Sequence, residues 1–264
     1  MHKIALLAAA LLIAGCAPQP QQPSNVACYT SQQLNTSSYD YLAKVADSLR
    51  EDTKNMDDFS LFINGMKGSI EGYSGVIKSS TYLTNAIRFL PIPYAGEVST
   101  GTKIVAGTLV NLNSAASALD RYRKSSSAFL SDFAKLDRNS AKAADLARLS
   151  SYADTKVLAD QRALKTSLQD ISTSASAVAA AAQALSNAVD TTGEYVNSAK
   201  SYIGLSSNAS KEKTQIDESK NSIKSRLQQM SRKISSLENS AENNRQNIAK
   251  ARIYADLALE LETR

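Results

Sequence analysis

A seven-residue hydrophobic repeat runs through residues 105–189 and constrains the fold more than any other feature of the chain. After Gly107 this stretch contains neither glycine nor proline. Apolar side chains that recur every 3.5 residues line one side of a slightly underwound helix, and that side must be covered by other helices. The repeat therefore predicts an all-α protein built from long helices that pack side by side.

The middle of this repeat is less regular than its ends. Polar residues stand where apolar residues are expected, at Ser140, Ser150, Asp154 and Gln161. Residues 137–140 and 150–154 both contain side chains that can cap a new helix. Two arrangements are therefore compatible with the sequence. One is a single helix of roughly 125 Å, and the other is a pair of helices of about 45–50 residues that fold back on each other.

A second repeat follows residue 38 and predicts another long helix. Its inward positions are Leu42, Val45, Leu49, Asp52, Met56, Phe59, Ile63, Met66, Ile70, Tyr73 and Ile77. Four glycines, Gly65, Gly68, Gly72 and Gly75, recur at spacings of three and four near its end. They either allow a neighbouring helix to approach closely or simply weaken the helix, since each costs up to about 1 kcal/mol relative to alanine.

A third repeat, over residues 216–258, predicts the last helix. Asn244 is the one polar residue among its inward positions. A single buried asparagine can fix the register of packed helices at some cost in stability, and we expect that role here.

Two segments predict reversals of the chain. Residues 89–102 contain Pro91, Pro93, Gly96 and Gly101, and residues 192–210 contain Gly193 and Gly204. Proline ends a helix and glycine permits a turn. The predicted fold is thus an elongated antiparallel coiled coil or long helical bundle, with hairpin turns near residues 89–102 and 192–210.

The first of these turns is more apolar than a turn requires, with Phe89, Leu90, Ile92 and Tyr94 close together. Such a tip is either a surface that touches a membrane or another protein, or a cap that closes the end of the bundle. We favour closure of the bundle.

The N-terminus carries a short basic region, His2 and Lys3, followed by an apolar run over residues 4–13. Ten helical residues span only about 15 Å, half of a bilayer core, so this run is typical of a signal peptide and not of a transmembrane helix. The sequence Ile13-Ala14-Gly15-Cys16 follows at once. It resembles the lipobox of bacterial lipoprotein precursors.

That resemblance covers the first sixteen residues and implies lipid attachment at Cys16, with removal of residues 1–15 as a signal peptide. More than one acyl chain gives stable anchoring, whereas a single chain is marginal. Ala17 follows the cysteine, where Gram-negative lipoproteins that remain in the inner membrane often have aspartate. The resemblance therefore implies an outer-membrane lipoprotein that faces the periplasm.

Residues 16–37 are uncharged and contain three of the five prolines, which predicts a flexible tether. The predicted helical domain then covers residues 38–264. Cys28 lies in this tether and has no intramolecular partner once Cys16 is acylated. In an oxidising compartment Cys28 either forms an intermolecular disulfide or remains a free thiol.

The net charge of +5 is spread along the chain, as on the solvated faces of long helices. A nucleic-acid partner would favour basic residues gathered in a stripe, so none is expected. The only histidine, His2, leaves with the signal peptide. The mature chain then lacks an imidazole base or ligand, and we expect no catalytic site, cofactor site, metal site or small-molecule substrate.

These observations predict a lipid-anchored structural or protein-interaction protein of the cell envelope, without catalytic activity. Its expected partners are the membrane, through the lipid anchor, and either another protein or further copies of this chain, through helical faces. An alternative is a membrane-active protein that resembles α-helical pore-forming toxins in architecture and uses the apolar hairpin at residues 89–103.

Overall fold

The computed structural model describes residues 29–79, 93–199 and 208–263. Its helices are α1 (Ser31–Ser79), α2 (Pro93–Phe133), α3 (Ala143–Tyr152), α4 (Leu158–Ala199) and α5 (Asn208–Glu262). A π-helical segment, Ala153–Val157, joins α3 to α4 without interruption, so the chain forms four long helical rods. No strand occurs within these ranges.

The four rods form an antiparallel bundle with an up-down-up-down order. α1 packs mainly against α5 and also against α2, and α4 packs against α2 and α5 on the opposite side. The 49 residues of α1 extend over about 75 Å. The predicted all-α, elongated, antiparallel bundle is therefore confirmed, and the described ranges also contain a turn between α2 and α3.

The apolar stripe of α1 fills this core as its repeat predicted. All of its apolar positions from Leu42 to Ile77 are buried, most of them completely. Most of the α5 stripe is buried as well, although Leu227 and Ile234 are only partly buried, and Asn244 is only 1% exposed. Burial of these stripes is the main stabilising contribution, because apolar side chains removed from water contribute about 1.5–3 kcal/mol each.

The long repeat is divided into two helices, as in the folded-back arrangement. A turn over residues 134–142 separates α2 from α3. The Asp137 Oδ1 atom accepts hydrogen bonds from the backbone N–H groups of Asn139, at 3.0 Å, and Ser140, at 3.1 Å. An aspartate that binds the backbone two and three residues ahead stabilises a turn in preference to a continuing helix.

Residues 150–154 do not cap a helix; they lead into the π-helical segment instead. A π turn holds more residues than an α turn, and here it continues directly into α4. The repeat also places Ala147 and Asp154 inward, but these two are partly exposed, and the adjacent residues Leu146 and Ala153 are fully buried instead. The inward positions Ala143, Ser150 and Val157 are buried as the repeat predicts, so the register holds and only two positions depart from it.

α1 begins at Ser31, so residues 31–37 are helical and do not belong to the tether. Thr30 and Gln33 form a capping box. The Gln33 N–H donates to Thr30 Oγ1 at 3.2 Å, and the Thr30 N–H donates to Gln33 Oε1 at 3.0 Å. This first turn is also held by Leu34, which is buried against Ala143 and Ala258.

The two predicted hairpin turns were too wide. α2 already begins at Pro93, α4 continues to Ala199, and α5 begins at Asn208. Proline is favoured at the first position of a helix, because its missing N–H has no intrahelical partner there in any case. Gly96 and Gly101 therefore lie inside α2 and do not form the turn.

Three of the four glycines singled out in α1 are not sites of close approach by a neighbouring helix. A Cβ at Gly68, Gly72 or Gly75 would meet open space. Gly65 differs, since a Cβ there would lie 2.3 Å from Nη1 of Arg226. The Arg226 Nε atom donates to Ser69 Oγ at 3.0 Å, so Gly65 makes room for this polar contact between α1 and α5.

One end of the bundle holds the first turn of α1, the turn over residues 134–142 and the last turn of α5. Ser31 Oγ donates to Glu262 Oε1 at 2.7 Å, and Arg138 binds Asp40 through two hydrogen bonds of 2.7 and 2.8 Å. We call this the tether end, because residues 16–30 lead into it. None of the helices in the described ranges has both the length and the hydropathy needed to cross a bilayer.

Candidate functional site

A polar layer crosses the apolar core near the middle of the bundle. The Oδ2 atom of Asp52 accepts hydrogen bonds from Tyr122 Oη at 2.5 Å, Ser240 Oγ at 2.7 Å and Gln161 Nε2 at 3.2 Å. Gln161 Nε2 also lies 3.2 Å from Ser240 Oγ, and Ser240 Oγ is 3.2 Å from Ser48 Oγ. Asp52, Tyr122, Gln161 and Ser240, which we call the polar layer, come from α1, α2, α4 and α5.

The hydrophobic repeats explain why these side chains meet. Asp52, Tyr122 and Gln161 occupy inward positions of their helices, where the repeat would otherwise have an apolar residue. Side chains on one helical stripe share one face, so each residue faces the bundle axis. Antiparallel packing then brings the three to one level, although as many as 109 positions separate two of them in the sequence.

Burial controls the protonation of this layer. It raises the pKa of Asp52, while the hydrogen bonds from Tyr122 and Ser240 oppose that shift. Burial also raises the pKa of Tyr122 well above its ordinary value, and the negative charge of Asp52 adds to the effect. The phenol therefore stays protonated and donates. No lysine or arginine in the described ranges forms an ion pair with Asp52.

The polar layer favours specificity over stability. Hydrogen bonds to a charged group contribute about 1.5–3 kcal/mol each, but withdrawing a carboxylate from water costs several kcal/mol. An apolar residue at position 52 would avoid that cost. If one helix slid along the bundle by a turn, the partly buried carboxylate would lose its donors, so the layer penalises incorrect registers.

Next to the polar layer, four buried atoms have no protein hydrogen-bond partner in the described part of the chain. They are Ser126 Oγ, Gln161 Oε1, Asn244 Nδ2 and Asn244 Oδ1. An unsatisfied buried polar atom costs about 1–3 kcal/mol. Four of them would remove about 4–12 kcal/mol, which is comparable to the whole stability of a typical protein of about 5–15 kcal/mol. These atoms therefore need an explanation.

A second polar feature is an open groove of about 260 Å³ at the tether end. It is lined by Ser31, Gln32, Asn35, Thr36, Arg138, Asn139, Ser140, Ala141, Lys142 and Glu262. Two of its charged groups are already engaged, since Arg138 binds Asp40 and Glu262 accepts from Ser31 and Asn35. The groove is thus a meeting point of three chain segments that is stabilised by their own contacts.

Most of the residues singled out by the sequence as functional lie outside the described ranges. This applies to Cys16, Cys28, Phe89, Leu90 and Ile92. Tyr94 belongs to α2, but its side chain also lies outside what the structure describes. The lipid anchor, the disulfide and the interaction tip remain predictions.

The sequence reading missed the polar layer, although it contained a signal. Asp52 and Gln161 interrupt apolar stripes at inward positions. Within the described residues, no group of three or more His, Cys, Asp or Glu side chains is arranged to hold a metal ion. Searches against family models, curated proteins and solved structures found no match to this chain.

Proposed function

We propose that this chain is a lipid-anchored structural or protein-interaction component of the cell envelope, which acts as a rod without catalytic activity. The observation that carries the proposal is the lipobox-like sequence ending in Cys16, which stands ahead of an uncharged segment and a long helical bundle. In the proposed arrangement the anchor lies in the outer membrane and the body faces the periplasm.

The geometry of the bundle supports a spacer or scaffold role. The segment that follows Cys16 enters at the tether end, where Ser31 contacts Glu262. From there α1 extends about 75 Å along the bundle axis. A lipid anchor at one end of such a rod would hold the opposite end well away from the bilayer, which suits a protein that bridges a membrane to a distant partner.

Metabolic labelling with a fatty-acid analogue tests the anchor. The wild-type protein should be labelled and should fractionate with membranes, and Cys16→Ser should lose both properties or accumulate as an uncleaved precursor. Cys28→Ser is the matched control and should be labelled like the wild type. A wild-type chain that is not labelled would overturn the proposal of a lipid anchor.

The interaction role is tested by cross-linking in the native envelope followed by affinity purification. Capture of a defined partner, or of a second copy, would support a scaffold role. The competing membrane-active role predicts that the unlipidated protein releases dye from liposomes. We expect no release, and release that is lost in a Leu90→Asp, Ile92→Asp double variant would favour the toxin-like alternative.

A further inference from the structure

The polar side chains next to the polar layer are closed off from solvent. Ser126 is 0% exposed, and Gln161 and Asn244 are each 1% exposed. Exchanging the oxygen and nitrogen of the Gln161 amide would only change which atom lacks a partner. Both amide atoms of Asn244 lack a protein partner among the described residues, so reorienting that amide leaves the same deficit.

These three side chains occupy neighbouring levels of the core. Gln161 contacts Ser240, and Asn244 lies one helical turn beyond Ser240 on the same face of α5. Ser126 lies one turn beyond Tyr122 on α2, and it is close enough to the phenol to oppose the rise in the pKa of Tyr122. α2 and α5 both run toward the tether end, so Ser126 and Asn244 are displaced from the polar layer in the same direction.

Apolar side chains enclose this region on the side of the tether end. Each of the four rods contributes one buried side chain there, namely Val45, Phe129, Val157 and Ile248. Bulk water is therefore excluded, and a molecule held inside the core can satisfy the four atoms. Buried polar groups that lack a protein partner are usually satisfied by internal water, which makes about three hydrogen bonds in such sites.

The chemistry of the four atoms fits water better than an ion. Gln161 Oε1 and Asn244 Oδ1 accept, Asn244 Nδ2 donates, and the Ser126 hydroxyl does both. Water has two donor and two acceptor positions and matches this mixture. Calcium-like cations take six to eight oxygen ligands, usually including several carboxylates, and Asp52 repels an anion.

We propose that the core beside the polar layer is an internal water site, in which one or more ordered water molecules bridge Ser126, Gln161 and Asn244. The bound water links α2, α4 and α5, and it continues the hydrogen-bond network that starts at Asp52. The register of the bundle then depends on protein side chains and water together.

A crystal structure of the full chain, at a resolution that shows ordered water, is the direct test. We expect an isolated oxygen between about 2.7 and 3.2 Å from at least two of the three side chains. An empty cavity, direct protein hydrogen bonds to all four atoms, or density at the shorter distances of a coordinated cation would each overturn the proposal.

A double-mutant cycle in solution gives an independent test. Ser126→Ala and Asn244→Leu both remove groups that bind the same water, so their effects should be non-additive. The folding equilibrium constant of the double variant should differ by about twofold or more from the value that the two single variants together predict. Tyr73→Phe with Asn244→Leu is the control cycle. Tyr73 Oη is also buried without a protein partner in the described chain, but it lies far along α1, and we expect additivity.

Additive effects in the Ser126 and Asn244 cycle, within the scatter of the control cycle, would contradict a shared water. If Asn244→Leu does not fold, Gln161→Leu replaces it in the cycle with Ser126→Ala. The same non-additivity is then expected, because Gln161 Oε1 binds the same water in this arrangement.

Discussion

Two regions of one continuous core differ in composition. Ile63, Leu112, Ile171 and Met230, one from each rod, are buried among other apolar side chains. Around Asp52, each rod contributes a polar side chain to a hydrogen-bonded layer. Apolar contacts are non-directional, so they stabilise many registers of the rods almost equally. The polar layer has directional contacts and therefore distinguishes the native register from its neighbours.

The largest expected effect is a cavity in the apolar region. Leu112 is 1% exposed, and Leu112→Ala should lower the free energy of unfolding by about 2–5 kcal/mol, because transfer free energy is lost and a cavity remains. Val110→Ala is the matched control on the same helix. Val110 is 63% exposed, so Val110→Ala should change the free energy of unfolding, measured by urea denaturation, by no more than about 0.5 kcal/mol. Equal effects of the two variants would contradict the packing of α2.

The next effect concerns the polar layer and uses two buried tyrosines. Tyr122→Phe removes a donor to the Asp52 carboxylate and should destabilise the protein by about 1.5–3 kcal/mol. Tyr73→Phe removes a buried hydroxyl that has no protein partner in the described chain, and it should be neutral or stabilising. Thermal or urea unfolding of both variants measures the difference. A Tyr122→Phe variant as stable as the wild type would show that the layer is not formed.

The pH dependence of stability separates the layer from surface carboxyls. Because burial raises the pKa of Asp52, the folded protein binds this proton at a higher pH than the unfolded chain does. The contribution of Asp52 to the stability of the fold is fully present below its ordinary pKa of 3.8. It is lost as the pH rises through the raised pKa of the folded state. The free energy of unfolding of the wild type, minus that of the Asp52→Asn variant, should therefore increase as the pH falls from neutral to about 4.

That difference isolates one group, because both proteins share the other acidic residues. Asp40, Asp132, Asp217 and Glu242 have lowered pKa values, caused mainly by hydrogen bonds from basic side chains, and their contribution is lost on acidification. These effects cancel in the comparison. Urea unfolding of both proteins at several pH values measures this difference in stability. A difference that does not change with pH would contradict burial of the Asp52 carboxylate.

The smallest expected effect lies on the surface at the tether end. Arg138 and Asp40 form a bidentate ion pair, and their side chains are 53% and 44% exposed. Exposed pairs contribute about 0.2–1 kcal/mol, and salt screens them. Arg138→Ala should thus cost less than 1 kcal/mol, and the loss should shrink in high salt. A larger, salt-independent loss would mean that the turn over residues 134–142 depends on Arg138 for packing.

The sequence predicted features that depend on local or periodic patterns. The stripe from Leu42 to Ile77 identified the buried face of α1, and Asp137 identified one of two candidate turns. It also contained a capping box at Thr30 and Gln33 that was overlooked, so the start of α1 was predicted too late. Such errors are avoidable, because the relevant residues lie within one turn of each other.

The remaining features depend on contacts between distant residues. A π-helical segment has no distinctive composition, so its place at Ala153–Val157, and the burial of Leu146 in place of Ala147, followed only from packing. Asp52 and Gln161 were recognised as inward polar residues, but their pairing depends on the level at which α1 and α4 stand side by side. No local propensity determines that level, because it emerges when all four rods are assembled.

The pairing of α1 with α5 also determines the order in which the bundle can form. α1 packs mainly against α5, which begins at Asn208, so α2 covers only part of its apolar stripe until the last fifth of the chain is available. Closing so long a loop is entropically costly and slows folding compared with the pairing of adjacent helices. A nascent chain that ends before α5 therefore exposes part of the stripe from Leu42 to Ile77 to solvent, and during that interval it is prone to aggregation and suited to recognition by a chaperone.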